Sequence, residues 1–355
     1  MKILVDIGHP AHVHFFINPI KIWRSKGHSV VITSRKKEIA TDLLDELDLQ
    51  HHVLSSHPGS GGLLRLLREL IKRNLSLLSF VRREKPDIMV GIGGVNIAHV
   101  HLLTRIPSIV FYDTENATLS NFITYPFTSL VTVPECYKAW LPPWHMRYPG
   151  YHELSYLHPN HFTPSRAKAL EAGLSPQGNT FLIRTVSWQA SHDVAERGWS
   201  EELLVKTVQY LSKRGKVIVS SEGTLPEEVK DYAYAGPLAN IHHLMAFSKL
   251  FIGESATMAS ECAVLGCPAI YAANTGRGYT DEQEARYNLV KNVRTLSWPI
   301  LRQAMGSMLS KERSFFERNR EQLLSDKIDV AAFVAHLTES YPDVQACAKR
   351  FGFST

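Results

Sequence analysis

The stretch FIGESATMASECAVLGCPAIYAANTGRGYTDEQEARYNLV, residues 251–290, combines an apolar strand, a helix and a second strand joined by short turns. The first strand ends near Gly253, and the small residues Ser255 and Ala256 lead directly into a helix whose first turns include Thr257. Backbone N–H groups and the helix dipole at such a junction favour an anion, typically by about 0.3 to 1 kcal/mol when exposed. The stretch therefore indicates a strand–turn–helix unit that could hold a phosphate, although many α/β domains use the same turn as an ordinary connection.

The alternation of strand and helix continues on both sides of this stretch. Apolar strands alternate with segments of helical spacing in two sets, KILVDI, HSVVITS, DIMVGI, PSIVFY and LVTV, then TFLIRT, KVIVSS, LFIGE and PAIYAA. This rhythm predicts doubly wound parallel sheets. Residues 137–178 interrupt it, because they are rich in Pro, His and aromatics and lack periodicity. We expect two Rossmann-like domains, at 1–150 and 179–330, with a linker at 151–178 and a helical tail at 331–355.

Composition excludes several classes of protein. Of the 355 residues, 44% are hydrophobic and 21% charged, as in ordinary globular chains. No apolar run reaches the roughly 18 residues of a membrane span, and Asp6 interrupts the N-terminus too early for a signal peptide. The four cysteines show neither zinc-type spacing nor a disulfide framework. We expect a folded, reduced, cytoplasmic protein.

The net charge of +5 is concentrated in one segment. Residues 63–85 carry seven basic side chains against Glu69 and Glu84. Apolar residues recur there at helical spacing, which predicts an amphipathic helix with a solvated basic face. The apolar residues of this pattern are Leu63, Leu67, Leu70, Ile71 and Leu78. The alternative is peripheral contact with anionic lipid or a phosphorylated acceptor. No helix-turn-helix, finger or RNA-binding signature accompanies the segment, so we expect no nucleic-acid partner.

The run G-x-S-x-T-M-x-x-E-x-A-x-L-G-x-P-A within residues 253–269 resembles the donor-binding segment of GT-B glycosyltransferases. It is most similar to a predicted glycosyltransferase family related to UDP-N-acetylglucosamine 2-epimerase and the peptidoglycan N-acetylglucosaminyltransferase. Further segments match in order over residues 1 to about 290: GHPAHVHFF, GIGGVNIAHV, FYDTENATLSN, TVPECY, YHELSYLHPNHFTP, LIRTVSW and GYTDEQEARYNLV. The resemblance implies a GT-B fold, in which two Rossmann-like domains face each other across a cleft and the second domain holds a UDP-sugar.

Carried over by position, the resemblance assigns the second domain a set of donor contacts. The diphosphate cradle would be Ser255, Ala256, Thr257 and Met258; Glu261 would hold the ribose, Arg184 would neutralise phosphate, and Gly236, Ile241 and His242 would flank the nucleobase. Arg277, in the loop after the next strand, could close over the diphosphate or the sugar. Glu254 departs from the pattern of more distant GT-B enzymes, which often have a small residue there. Its carboxylate should therefore face away, cap the helix or meet sugar hydroxyls.

The loop after the first strand contains His9, His12 and His14. His12 best matches the histidine of the peptidoglycan N-acetylglucosaminyltransferase, which predicts a general base that accepts the proton of an acceptor hydroxyl. We expect His9 and His14 to cap or pad the following helix. Asp113 and Glu115 also follow a strand and are alternative bases or ligands for acceptor hydroxyls.

A metal centre is the competing interpretation of these histidines, because HVH after an opening strand also resembles metal-dependent amidohydrolases. Those enzymes need further ligands on later strands of a barrel, whereas the second HVH, residues 99–101, lies in a helical pattern. We expect no metal and no cofactor. The resemblance thus implies an inverting glycosyltransferase that uses a nucleotide-sugar donor and a polysaccharide or lipid-linked acceptor. The alternatives are a 2-epimerase-like enzyme and a non-catalytic nucleotide-sugar-binding protein.

Overall fold

The computed structural model describes residues 1–36, 38–56, 63–186 and 198–354. It divides into two compact units: unit 1 comprises residues 1–156 with 328–355, and unit 2 comprises residues 157–327. Each unit contains one parallel sheet accompanied by helices. The predicted α/β class with two Rossmann-like domains is therefore confirmed.

Unit 1 is built on a sheet of seven described strands: β1 (Lys2–Ile7), β2 (Ser29–Lys36), β3 (His52–Ser56), β4 (Ile88–Ile92), β5 (Ser108–Phe111), β6 (Leu130–Pro134) and β7 (His145–Tyr148). Their order is β3-β2-β1-β4-β5-β6-β7, and every pairing is parallel. Ile3, Leu4 and Val5 are completely buried, as expected for a central strand of a parallel sheet that is covered on both faces. The order reverses between β1 and β4, which creates a crevice at their carboxyl ends.

The first helices of the chain are α1 (Pro10–Ser25), α2 (Glu38–Glu46), α3 (Leu63–Glu84), α4 (Val95–Thr104) and α5 (Thr118–Thr124), with a 3₁₀ turn at Tyr125–Phe127. Helix α1 begins at a fixed point, because the His9 ring accepts a hydrogen bond from the Ala11 N–H and Pro10 occupies the first helical position. Gly27, at φ +81°, follows its end and adopts the left-handed conformation that favours glycine. This start places His12 in the first turn, directly after β1.

Helix α3 does not bury the face that the sequence predicts. Leu67 and Ile71 are each 51% exposed, whereas Arg73 is only 7% exposed. Leu78 is buried as expected, but the inward position of Arg73 turns the preceding apolar residues toward solvent. The predicted burial of Leu67 and Ile71 is therefore wrong. The side chains of residues 63–66, including that of Arg65, lie outside the described residues.

Unit 2 contains the strands β8 (Thr180–Thr185), β9 (Lys216–Ser221), β10 (Leu250–Gly253), β11 (Ala269–Ala272) and β12 (Val290–Val293). They are parallel, in the order β12-β11-β10-β8-β9, so this sheet reverses its order between β8 and β10. Helix α6 (Leu154–Leu157) lies at the division between the units. The following helices are α7 (Arg166–Glu171), α8 (Glu201–Ser212), α9 (Ile241–Phe247), α10 (Ala256–Leu265), α11 (Gly278–Ala285), α12 (Trp298–Leu309) and α13 (Arg313–Asp326), with 3₁₀ helices at Glu227–Tyr232 and Leu238–Asn240.

The last two helices, α14 (Val330–Ser340) and α15 (Val344–Arg350), belong to unit 1. The buried indole of Trp23 on α1 donates its Nε1–H to the carbonyl oxygen of Ala335 on α14 at 3.1 Å. This contact corrects the expected organisation: residues 331–355 are not a separate tail, and residues 151–178 are divided between the units instead of forming a linker. Among the described residues, no helix has the length and apolar character needed to cross a bilayer.

Candidate functional site

The strand ends of unit 2 bring the main chain of Arg184, a predicted donor residue, next to Gly253. Gly253, the last residue of β10, pairs in register with Arg184 of β8, and the Glu254 N–H donates to the Arg184 carbonyl oxygen at 3.0 Å. A Cβ atom on residue 253 would overlap the main chain of Arg184, so this close approach requires glycine. The glycine thereby places the N-terminus of α10 beside the end of β8, at the reversal of strand order where α/β sheets bind ligands.

The N-terminus of α10 holds the predicted phosphate cradle within one turn. Ser255 is the N-cap residue, and its hydroxyl accepts a hydrogen bond from the Met258 N–H at 3.2 Å. The N–H groups of Ala256 and Thr257, in the same first turn, have no acceptor within the helix. An anion would therefore meet these two main-chain groups, while Ser255 and Met258 hold the shape of the turn.

Arg184 does not extend its guanidinium to α10. Its Nη1 donates to Ser220 Oγ at 2.8 Å, and its Nη2 lies 2.5 Å from the Glu222 carboxylate. The side chain of Arg184 is 19% exposed and that of Glu222 48% exposed. Because an exposed ion pair contributes little, a phosphate could replace Glu222 as the partner of this guanidinium.

Glu261 is buried one turn after the cradle and has a defined partner. Its Oε1 lies 3.0 Å from Nε2 of His242, and both side chains are largely buried. The structure therefore places His242, an expected nucleobase contact, against the carboxylate expected to hold the ribose. Ile241 begins α9 beside it. Gly236 precedes the 3₁₀ turn and packs closely on Ala172, which excludes a larger residue.

Glu254 faces away from the cradle, one of the expected alternatives. Its carboxylate accepts hydrogen bonds from the Val186 N–H at 3.1 Å and from the Trp199 N–H at 2.7 Å. These residues flank positions 187–197, which lie outside the described residues. Ser187 and Trp188, the last two residues of the LIRTVSW segment, are among these positions. Glu254 therefore joins the two chain ends that border this interval. Arg277 is the N-cap residue of α11, in the loop after β11.

Unit 1 has a pocket of about 300 Å³ at the reversal between β1 and β4. Gly93 and Gly94, both at positive φ, lie between β4 and α4. A side chain at Gly94 would collide with Val110 of β5, so the loop can turn here only with glycine. Among the residues that line the pocket, those that carry chemistry are Asp6, His12, Arg73, Asn96, Tyr112 and Asp113.

The ring of His12 is held in one tautomer. Its Nδ1 accepts a hydrogen bond from the Gly8 N–H at 3.2 Å, so in the neutral ring the proton resides on Nε2. The ring is enclosed by protein on most sides, and this burial, with the nearby charges of His9 and His152, lowers the pKa of His12 to about 3. At neutral pH His12 is therefore a hydrogen-bond donor through Nε2. Because Nε2 then carries the proton and no lone pair, this tautomer favours a donor role for His12, and the general-base role stays a prediction.

Asp113 is the ionised group of the pocket. Burial alone would raise its pKa, but the charge and hydrogen bond of His152, with the hydrogen bond from Thr114, lower the pKa of Asp113 to about 2. His152 Nδ1 lies 3.3 Å from Asp113 Oδ2, and the Thr114 hydroxyl donates to Oδ1 at 2.9 Å. His152 was missed from the sequence because it lies in the expected linker. Glu115, the other predicted carboxylate, is half-buried and is not among the pocket-lining residues.

Asp6 and Arg73 form a second buried pair at the same pocket. Arg73 Nη2 lies 2.9 and 3.1 Å from the two carboxylate oxygens of Asp6, and the Thr33 hydroxyl donates to Oδ1 at 2.8 Å. With His12 neutral, the described lining contains two carboxylates, Asp6 and Asp113, against one guanidinium. With His152 beside Asp113, these side chains offer hydrogen-bond donors and acceptors to a ligand rich in hydroxyl groups.

The other histidines of the opening loop have structural roles, as expected. His9 caps α1, and the His14 ring packs 5.3 Å from the Tyr156 ring. His99 lies within α4, where its ring nitrogens contact Asn74 and the Ile123 carbonyl oxygen. In the part of the chain that the structure describes, no group of three or more His, Cys, Asp or Glu side chains could hold a metal ion.

The fold of the whole chain is similar to two kinds of solved structure. UDP-GlcNAc 2-epimerase of Methanocaldococcus jannaschii, in complex with UDP-GlcNAc and UDP, matches with a TM-score of 0.64 and 14% identity over 96% of this chain and 100% of that one. SsfS6, a glycosyltransferase of Streptomyces sp. SF2575, matches with a TM-score of 0.58 and 14% identity over 96% and 100% of the two chains. At these identities the similarity establishes the shared fold, and the expected likeness of the fold to GT-B glycosyltransferases and epimerases is confirmed.

Sequence similarity supplies the remaining comparison. An uncharacterised protein of Methanocaldococcus jannaschii, MJ0665, is 22% identical over 134 residues, 38% of this chain. The match spans 39% of the length of that curated relative. Residues 1–278, which contain the whole unit 1 pocket and the unit 2 turn at Gly253, match the family described as "Protein of unknown function (DUF354)", and the chain belongs to this family.

Proposed function

We propose that this protein is a glycosyltransferase that moves a sugar from a nucleotide-sugar donor, a UDP-sugar, to a hydroxyl group of a saccharide acceptor. The observation that carries the proposal is the arrangement after β10. An anion-binding helix start at Ala256 and Thr257 is followed one turn later by a buried carboxylate, Glu261, that His242 holds in place. The fold similarity to an epimerase that binds UDP-GlcNAc and UDP supports the same ligand class.

The donor contacts follow from the chemistry of these groups. The N–H groups of Ala256 and Thr257 and the dipole of α10 bind the diphosphate and stabilise the charge that develops on it as the leaving group. Arg184 adds a guanidinium when a phosphate oxygen replaces Glu222. Glu261 accepts hydrogen bonds from ribose hydroxyls. No step requires a metal, because main-chain dipoles and Arg184 carry the leaving-group charge.

The acceptor occupies the unit 1 pocket in this proposal. Asp113 accepts the proton of the acceptor hydroxyl, whose oxygen forms the new bond to the anomeric carbon while the bond from that carbon to the UDP oxygen breaks. His12 donates from Nε2 to an acceptor oxygen and orients it. Displacement in one step inverts the anomeric centre. The carboxylates of the pocket can accept hydrogen bonds from the hydroxyl groups of a saccharide, either free or as the sugar part of a lipid-linked acceptor.

An activity of the 2-epimerase kind is the second candidate, because the fold is also similar to that of an epimerase in complex with UDP-GlcNAc and UDP. Such an enzyme would use the pocket carboxylates as proton acceptors while UDP is eliminated and added back. It would change UDP-GlcNAc without any acceptor. NMR spectra of UDP-GlcNAc incubated with the protein, with and without a panel of saccharide acceptors, separate the two activities. Binding of UDP without turnover in either case would support the non-catalytic alternative.

The donor site is tested by calorimetric titration with UDP, in the presence of a chelator. We expect Glu261→Gln to weaken binding by roughly 10- to 100-fold, because it removes hydrogen bonds to a charged acceptor. Glu202→Gln is the matched control, since Glu202 lies on the surface of the same unit with a side chain 74% exposed. If neither UDP nor another nucleoside diphosphate binds, or if the two variants bind alike, the assigned donor site is incorrect.

A further inference from the structure

The outer face of α3 exposes a stripe of large apolar residues. Leu67, Ile71 and Leu75 are 51%, 51% and 61% exposed. They are spaced by four positions, so their side chains follow one another along the same side of the helix. Single exposed apolar residues are common on protein surfaces, but a contiguous stripe marks an interaction surface.

Contacts on the inner face fix the rotation of this helix. Arg73 is held by both carboxylate oxygens of buried Asp6, and Asn74 is hydrogen-bonded to His99 of α4 at 2.9 Å. Turning the stripe inward would break the buried Arg73–Asp6 ion pair and leave a charge buried without its partner, which is strongly destabilising. The apolar stripe is therefore a stable feature of the outer surface.

The exposed charged side chains of the described part of α3 are all basic. Arg68, Lys72, Arg82 and Arg83 are exposed on α3. The two acidic residues of the described helix are both engaged by cations: Glu69 lies 2.5 Å from Arg35, and Glu84 is paired with Lys2 and Arg83. We call Leu67, Arg68, Ile71, Lys72, Leu75 and Arg82 the α3 face. It combines apolar side chains with uncompensated positive charge, the combination found in helices that lie in the interface of anionic membranes.

We propose that the α3 face docks unit 1 onto an anionic bilayer, with the apolar stripe in the boundary between headgroups and acyl chains and the basic residues against lipid phosphates. The occupant is a lipid surface because an anionic bilayer satisfies both properties of the α3 face at once. An acidic protein surface would match only its positive charge, and an apolar protein surface would match only its apolar stripe. The inference does not depend on the transferase activity. It explains why this helix directs Leu67, Ile71 and Leu75 outward while Arg73 points inward.

Cosedimentation with vesicles tests this surface. The full-length protein is mixed with vesicles of phosphatidylglycerol and phosphatidylcholine, and with vesicles of phosphatidylcholine alone. We expect binding to the anionic vesicles that weakens as the salt concentration rises. Arg68→Gln with Lys72→Gln and Arg82→Gln should weaken it roughly 100-fold, since each basic residue near an anionic surface contributes about a factor of five.

The apolar stripe is tested by Leu67→Gln with Ile71→Gln and Leu75→Gln, which keeps good helix formers at each position. Burying the exposed half of each side chain contributes about a factor of five, so this variant should also bind roughly 100-fold more weakly. Two control variants carry the same kinds of change on exposed residues of unit 2. Lys213→Gln with Arg302→Gln and Arg318→Gln removes the same charge, and Leu170→Gln with Ile300→Gln removes exposed apolar side chains.

Three outcomes would overturn the proposal. In the first, the protein does not bind to anionic vesicles. In the second, the α3 variants and their controls lose binding equally, which would show an effect of overall charge or hydrophobicity. In the third, light scattering detects a dimer that only the Leu67, Ile71 and Leu75 variant dissociates, and vesicles do not bind. That result would assign the α3 face to a second copy of the chain. Circular dichroism confirms that each variant folds.

Discussion

The protonation state of His12 makes stability depend on pH in a way that one substitution can isolate. The ordinary pKa of a histidine is near 6.5, and in the folded protein burial lowers the pKa of His12 to about 3. Between these values the unfolded chain binds a proton at this position and the folded protein does not. The contribution is therefore complete above about pH 6.5 and is lost as the pH falls toward 3.

The size of the effect follows from the two pKa values. Lowering the pH from 7 to 5 should reduce the free energy of unfolding by about 2 kcal/mol through His12 alone. His12→Gln removes the titrating group while keeping an N–H donor near the position of Nε2. We therefore expect the variant to lose about 2 kcal/mol less stability than the native protein over this pH range.

Hydrogen exchange followed by mass spectrometry, in increasing urea, measures the free energy of unfolding of unit 1 separately through peptides from β1 and β4. His52→Gln is the control, because His52 is exposed on β3 of the same unit and is not among the groups that shift the pKa of His12. The control should follow the native pH dependence. ¹⁵N NMR of the His12 ring should show the proton on Nε2 at pH 7.

Equal losses of stability for the native protein and His12→Gln between pH 7 and 5 would refute this reasoning. The folded protein would then protonate His12 as readily as the unfolded chain does. A ring proton found on Nδ1 would likewise return His12 to the role of general base.

Two further substitutions and one deletion test the structure of the two units. Gly253→Ala should destabilise unit 2 and abolish UDP binding, because the new Cβ atom overlaps the main chain of Arg184. Thermal unfolding measures the stability and calorimetry measures UDP binding. A variant with native stability and native UDP binding would contradict the close approach of residue 253 to Arg184. Arg73→Met should cost about 3 to 5 kcal/mol by leaving Asp6 buried without its cation, and the double variant with Asp6→Asn should recover much of this in urea unfolding. Deleting the chain from Ile328 onward should expose the apolar surface of α1 and lower the unfolding temperature of unit 1, whereas an unchanged temperature would show that α14 is dispensable.

The strands that were missed from the sequence are edge strands of the two sheets: β3, β7 and β12. A central parallel strand is covered on both faces and paired on both sides, so it appears as a continuous apolar run such as KILVDI. An edge strand has one neighbour and partial cover. In β12, VKNV, only the two valines are buried, and in β7, HMRY, only Met146 and Tyr148 are. Such short mixed segments do not differ from loops in composition.

Local pattern determined much of this protein from sequence alone. Alternating apolar runs and helical spacing indicated the two α/β sheets, and the small residues after Gly253 indicated the helix start of the donor site. These features depend on neighbours within about one turn or one strand, which the order of residues contains directly.

Only the tertiary structure decided which distant groups meet. Arg73, predicted on a solvated basic face, is buried against Asp6, 67 positions away. His152, from the expected linker, is the partner of Asp113, and residues 328–355 return to unit 1. A buried charge is stable only beside a compensating charge, and that partner can come from any element that the topology brings near. The roles of these residues therefore depend on the packing of separate elements, which spacing along the chain does not encode.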